Sequence, residues 1–185
     1  MTEHRLYYAY ARHALVTALA LVRVGRGNSV LVPDFICRDV LASLSAVGAE
    51  AHFYSIGNDL QISSNVSLPD VDAIIAVNYF GFPADLARIR GALPSPDIAI
   101  IEDNAHGWLS RDEHGVLLGT RTEVSITSIR KTIRVPDGAS LEWRAGAIST
   151  RRHCTSPFHH AITLCLSGSN FGILHSDLTD CRPCR

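Results

Sequence analysis

The sequence predicts an α/β fold, a three-layer arrangement in which a mostly parallel sheet carries helices on both faces. Three observations lead there. Strand-like and helix-like runs alternate over the first 143 residues. The strand-like runs are apolar without clean alternation, as in strands buried on both sides. Gly and Pro fall between the runs, where turns belong.

Taken in order, residues 10–24 ("YARHALVTALALVRV") place Ala14, Leu15, Ala18, Leu19 and Val22 on one helical face. Gly25 and Gly27 are expected to end that helix. "SVLVP" (29–33) reads as a short buried strand closed by Pro33. Residues 37–47 ("CRDVLASLSAV") read as a helix stopped by Gly48, and "EAHFYSI" as a strand. "DAIIAVNYFG" (72–81) is a strongly apolar strand ending at Gly81. "PADLARIRGAL" is a helix with Asp85 near its start. "DIAIIED" and "TEVSITSI" are two further strands.

The chain has 185 residues, enough for one domain with its own core. A formal net charge of −1 offers no electrostatic basis for binding nucleic acid or an anionic membrane. The longest apolar candidate, "HALVTALALVRVG", falls short of the roughly 20 residues a membrane span needs. The start, "MTEHRLYYAY", has no apolar signal core, so the expected location is the cytoplasm. Five cysteines, Cys37, Cys154, Cys165, Cys181 and Cys184, are an odd number and argue against a disulfide framework.

In a parallel sheet, ligands bind beyond the carboxyl ends of the strands. Asp103, in "IIEDNAHGW", and Lys131, in "SIRKTIRVPDGASL", both fall there. Lys131 is the only lysine in the chain. A plain salt bridge between the two is one reading. Glu102 is expected to face solvent. The glycines of "VGRGNS" do not follow a strand, which excludes a dinucleotide-binding turn.

Residues 144–185 keep neither period. They hold four cysteines and four histidines (His153, His159, His160, His175), and a poorly ordered tail is expected. "CRPC" with His153, Cys154, His159 and His160 is too irregular a set for zinc, so no metal is expected.

"GFPADLARIRGAL", "IIEDNAHGW" and "SIRKTIRVPDGASL", in this order and spacing, resemble the DegT/DnrJ/StrS-type sugar aminotransferases. These are pyridoxal 5'-phosphate (PLP) enzymes of the aspartate-aminotransferase fold. "ARHALVTAL" resembles the family's opening helix, and the resemblance covers residues 7–143. It implies a PLP-binding large domain over 1–143, incomplete relative to the longer family enzymes, with 144–185 as an atypical tail. A shortened member with impaired activity is expected. The alternative is a non-catalytic remnant or binding module that keeps the fold. The implied reaction is amino transfer, with glutamate as expected donor, to a keto sugar, in a homodimer.

The resemblance also implies roles. Lys131 would be the Schiff-base lysine, because a desolvated amine is nucleophilic. Asp103 would keep the cofactor's pyridine nitrogen protonated, making the ring an electron sink. His106 would lie near the phenolic oxygen. Where the family offers a Ser-Gly-Thr-like phosphate turn, this chain reads Tyr10-Ala11-Arg12. Backbone donors at Ala11 and Arg12 would remain, with the Arg12 side chain either adding charge or standing as a solvated helix residue. Ser128 would also contact the cofactor. Phe35 and Cys37 both stand where the ring-stacking residue belongs, and the sequence does not choose between them. Tyr79 and Phe80 are expected in the core.

Overall fold

The computed structural model describes residues 3–63 and 66–144. Expectations about the remainder, including the disorder and metal content of the tail and its four cysteines, lie outside the described residues. Arg144, the first residue of that stretch, ends a strand.

The elements are β1 (Glu3–Tyr8), α1 (Ala11–Leu21), β2 (Ser29–Pro33), α2 (Arg38–Val47), β3 (Glu50–Tyr54), β4 (Ala73–Val77), α3 (Leu86–Ala92), β5 (Ala99–Asn104), β6 (Val124–Thr127) and β7 (Ala139–Arg144). One sheet of seven strands runs β1-β7-β6-β5-β4-β2-β3 among the described residues. The five strands β2 to β6 are parallel; on one side β7 pairs antiparallel with β6, and β1 pairs antiparallel with β7. The three-layer α/β expectation holds.

Period-2 alternation divides the core into two. On one face Val30, Val32, Ile75, Val77, Ile101, Val124 and Ile126 pack under α1 and α2. On the other, Leu31, Ile74, Ala76 and Ile100 pack with Ile89 and Leu93 around α3. The α1 stripe read from the sequence is buried, with Ala14, Leu15, Ala18 and Leu19 fully so.

Helix ends follow local chemistry. Gly48 caps α2 in the left-handed region, at φ 75°. The side chain of Asp85 accepts the Arg88 N–H at 2.8 Å and caps α3. The stop of α1 differs from expectation. It comes at Leu21, and the left-handed turn is made by Arg23, φ 61°, before either glycine. Arg23 N–H still finds a carbonyl, Ala20 O at 3.0 Å, so the hydrogen bond compensates a conformation that L-residues rarely adopt.

β1 and β7 do not stand out in the sequence. They pair with each other, Leu6 opposite Leu141, and β7 pairs with β6, Ile126 opposite Leu141. The strand order reverses at β2, which has β3 on one side and β4 on the other. That places the ligand-binding end of the sheet above β2, β4, β5 and β6. Among the described residues no helix is long and apolar enough to cross a membrane.

Ile75 sits fully buried at the middle of the sheet. Ile75→Ala is expected to cost about 2–5 kcal/mol and Ile75→Val about 1 kcal/mol. Denaturant midpoints of the two variants check this, and equal midpoints would contradict the packing described.

Candidate active site

β5 and β6 run parallel, Asp103 opposite Ile126, and both deliver side chains to the same end of the sheet. β5 is apolar until its last three residues, which are Glu102, Asp103 and Asn104, and all three are buried. Alternation sends Asp103 to the α1 face with Ile101. Glu102 and Asn104 go to the α3 face with Ile100.

The carboxyl of Asp103 is 5% exposed. One oxygen accepts the Ala105 N–H at 2.9 Å. Burial pushes its pKa above the ordinary 3.8; the Ala105 hydrogen bond and the charge of Lys131 oppose that shift. No direct ion pair within 4.0 Å joins Asp103 to Lys131 among the described residues. The buried acid is therefore poorly compensated, and it lies at the mouth of the site.

Lys131 closes a short 3₁₀ turn, Ile129–Lys131, that follows β6. Its Nζ stands 3.2 Å from His106 Nε2. On its other side His106 Nδ1 faces the Phe80 N–H at 3.4 Å, and the two rings stack at 5.7 Å, 12° from parallel. A neutral imidazole accepts at one nitrogen only. The tautomer thus decides whether the ring accepts from Phe80 or from Lys131. Partial burial, and then the Lys131 charge, lower the His106 pKa.

Phe80 is presented by backbone strain. It adopts φ 53° and Gly81 φ 85°, so the chain turns back over His106. A side chain at Gly81 would press on Ser110 Oγ at 2.8 Å. Phe80 is 63% exposed, which corrects the expectation of a core residue, while Tyr79 is buried as expected. The Tyr79 hydroxyl donates to Phe35 O at 2.5 Å, and the Tyr79 ring stacks on Phe35 at 5.4 Å. Phe35 is 56% exposed. Cys37 is an exposed free thiol at the start of α2.

Ser128 is buried and precedes the lysine turn; its carbonyl accepts the Lys131 N–H at 3.3 Å. Ala11 and Arg12 open α1, whose N-cap, Tyr10, makes no side-chain cap. Arg12 pairs with Asp39 at 3.0 Å and lies over the Tyr10 ring at 4.7 Å. A second cation, Arg130, approaches the same ring at 5.2 Å. The Gly138 N–H donates to Ala9 O, and the Arg130 N–H donates to Gly138 O, which ties the lysine turn to the start of α1. Sequence reasoning missed Arg130. Its only signal was adjacency to Lys131.

Glu102 is a correction. It is fully buried, not solvent-facing, and pairs with Arg121 at 2.8 Å. Its position on the second face of a strand buried on both sides explains this.

Among the described residues no group of three or more His, Cys, Asp or Glu side chains is placed to hold a metal. A cavity of about 310 Å³, lined by His4, Thr122, Glu142 and Trp143 among others, lies at the opposite end of the sheet and shares no residue with this cluster.

The profile of the DegT/DnrJ/EryC1/StrS aminotransferase family matches residues 2–138. A DegT DnrJ EryC1 StrS aminotransferase from Brucella abortus superposes with TM-score 0.67 at 24% identity, over 78% of this chain and 43% of that one. An aminotransferase from Psychrobacter cryohalolentis gives 0.66 at 19%, over 77% and 38%. A protein of Streptococcus pneumoniae assigned as a sugar aminotransferase, in its PLP form, gives 0.64 at 22%, over 76% and 41%. The chain thus spans about two fifths of the length of these solved structures.

Asp103 binds its proton more tightly folded than unfolded, so it withdraws stability as pH rises from 3.8 through the raised value. Asp103→Asn is therefore expected to raise the melting temperature of the cofactor-free chain at pH 7 and to leave it unchanged well below pH 3.8. A lowered melting temperature at pH 7 would identify Asp103 as half of a stabilising ion pair. For His106, Lys131→Met is expected to raise the ring pKa, read by NMR, because it removes an opposing charge.

Proposed function

The chain belongs to the DegT/DnrJ/EryC1/StrS aminotransferase family, and on that premise we propose that it binds PLP at Lys131 and serves amino transfer from glutamate to a keto sugar. The observation that carries this reading is one convergence beyond β5 and β6: a poorly compensated buried acid, an imidazole, and the only lysine of the sequence. The donor set fits the cofactor. A carboxyl whose burial is not offset by a direct partner suits a protonated ring nitrogen, which would supply the missing charge.

When bound, the cofactor supplies an aldehyde that condenses with amines and a ring that accepts electron density from an adjacent carbon. The rest is the work of this chain. Lys131 would hold the cofactor through its aldehyde, and its amine, when free, would carry a proton to and from the substrate carbon. Asp103 holds the proton on the ring nitrogen. His106 donates a hydrogen bond toward the phenolic oxygen. The free amides at Ala11 and Arg12 and the hydroxyl of Ser128 hold the phosphate. Arg12 brings a charge already shared with Asp39, and Arg130 brings a second.

Lys131 and His106 are exposed in the single chain. Around them Phe35, Phe80, Phe82, Leu109, Ile133 and Val135 are 39–64% exposed. Amino transfer needs water excluded from the reacting bond. We assign that to a second copy of the chain seated on this apolar rim, in a homodimer working in the cytoplasm.

The test uses the uniqueness of the lysine. Borohydride reduction with PLP, followed by digestion and mass spectrometry, is expected to place one adduct on Lys131. No adduct under native conditions sinks the proposal. An adduct without amino transfer from glutamate to any keto sugar would favour a binding module that keeps the fold and not the reaction.

A further inference from the structure

Behind Asp103, on the α3 face, Glu102 is the centre of a closed polar cluster. Its Oε1 accepts from Asn78 Nδ2 at 2.8 Å and from Arg121 Nε at 2.9 Å. Its Oε2 accepts the Arg121 backbone N–H at 3.1 Å. The guanidinium also donates to Ala84 O at 3.1 Å and to Asn78 Oδ1 at 2.8 Å. Asn78 Oδ1 takes the Ala84 N–H as well, and Asn78 Nδ2 reaches Asn104 Oδ1 at 3.1 Å. Asn104 Nδ2 then donates to Gly107 O and Leu118 O. No buried side-chain nitrogen or oxygen among the described residues is left without a partner.

This cluster joins the segments that carry the site without entering it. Asn78 precedes Tyr79 and Phe80. Asn104 stands between Asp103 and the turn that bears His106. A Cβ on Gly107 would sit 2.2 Å from Asn104 Oδ1, so the turn is closed onto that amide with no slack. A buried ion pair is a weak source of stability, because desolvating both charges offsets most of their attraction. A fully satisfied network does fix one arrangement of the segments it joins.

We propose that Glu102 and Arg121 are positioning residues. Through Asn78 and Asn104 they hold the Phe80 segment and the His106 turn where Asp103 and His106 face Lys131. The proposal rests on the reading of that site as a PLP site. The Arg121 guanidinium reaches Glu102, Ala84 O and Asn78 Oδ1 through three nitrogens of one rigid planar fork, a spread that the compact ammonium of lysine does not reproduce, so charge alone does not replace it.

The test compares the wild-type chain with Arg121→Lys and Gly107→Ala. The second variant presses on Asn104 with the ion pair intact, and it serves if the first does not fold. Amide exchange, read by mass spectrometry, is expected to accelerate about tenfold or more at residues 104–107 while β4 keeps its protection. PLP affinity, read by absorbance titration, is expected to fall about tenfold to a hundredfold. Wild-type exchange at 104–107, uniform acceleration over the whole sheet, or unchanged PLP affinity in a loosened turn would each overturn the proposal. Wild-type exchange and PLP affinity in Arg121→Lys would reduce Arg121 to a counter-charge. If the wild type itself binds no PLP, the reading of the site fails, and the exchange comparison still accepts or rejects the coupling between Arg121 and the turn.

Discussion

Neighbouring side chains of a strand point to opposite faces, and the end of β5 is governed by that constraint. Three consecutive polar residues close a strand buried on both sides. Each face then has to dispose of its own. On the α3 face, Glu102 and Asn104 are enclosed by Arg121, Asn78 and two carbonyls. On the α1 face, Asp103 receives one backbone N–H and a distant positive charge. The sheet divides two adjacent carboxyls into one enclosed by a counter-charge and several donors and one held by a single backbone N–H with no direct ion pair among the described residues. A fully bonded group fixes structure, and a buried acid without a counter-charge marks a candidate functional site.

The parallel strands were legible because burial on both faces removes alternation and leaves short apolar runs such as "SVLVP" and "AIIAV". The helical stripe of α1 was legible for the complementary reason: its partners lie on one side only. β1 and β7 were not legible. "EHRLYY" and "ASLEWR" mix charged and apolar residues; β7 is held as a strand between β6 and β1, and β1 pairs with β7 alone among the described strands. The end of α1 at Arg23 was missed for a related reason: a hydrogen bond to Ala20 O overrides a residue preference.

In the candidate site, the expectation for Asp103, His106 and Lys131 came from placement after strands and from family resemblance. The arrangement does bring His106 against Lys131. The polar cluster could not be read. Arg121 lies in an aperiodic stretch, and its partners are 19 to 43 positions away. Arg130 was equally silent, because its closeness to Tyr10 depends on the Ala9–Gly138 link, which no local pattern announces. Sequence pattern reports which residues are near a face. It does not report long-range hydrogen bonds that close loops.

The pairing of β1 with β7 has a consequence for synthesis. β1 is the first of the described elements to be made, yet its partner strand comes last among them. On a ribosome, the parallel strands and α1 emerge well before β7 does. Until then β6 is a bare sheet edge, and the first strand has nothing to pair with. Pairings between sequence-distant strands form late, and open edges invite pairing with other chains. A nascent chain halted anywhere before Ala139 would present that edge to its neighbours, which makes the interval before β7 emerges the one in which a holding chaperone has most to protect.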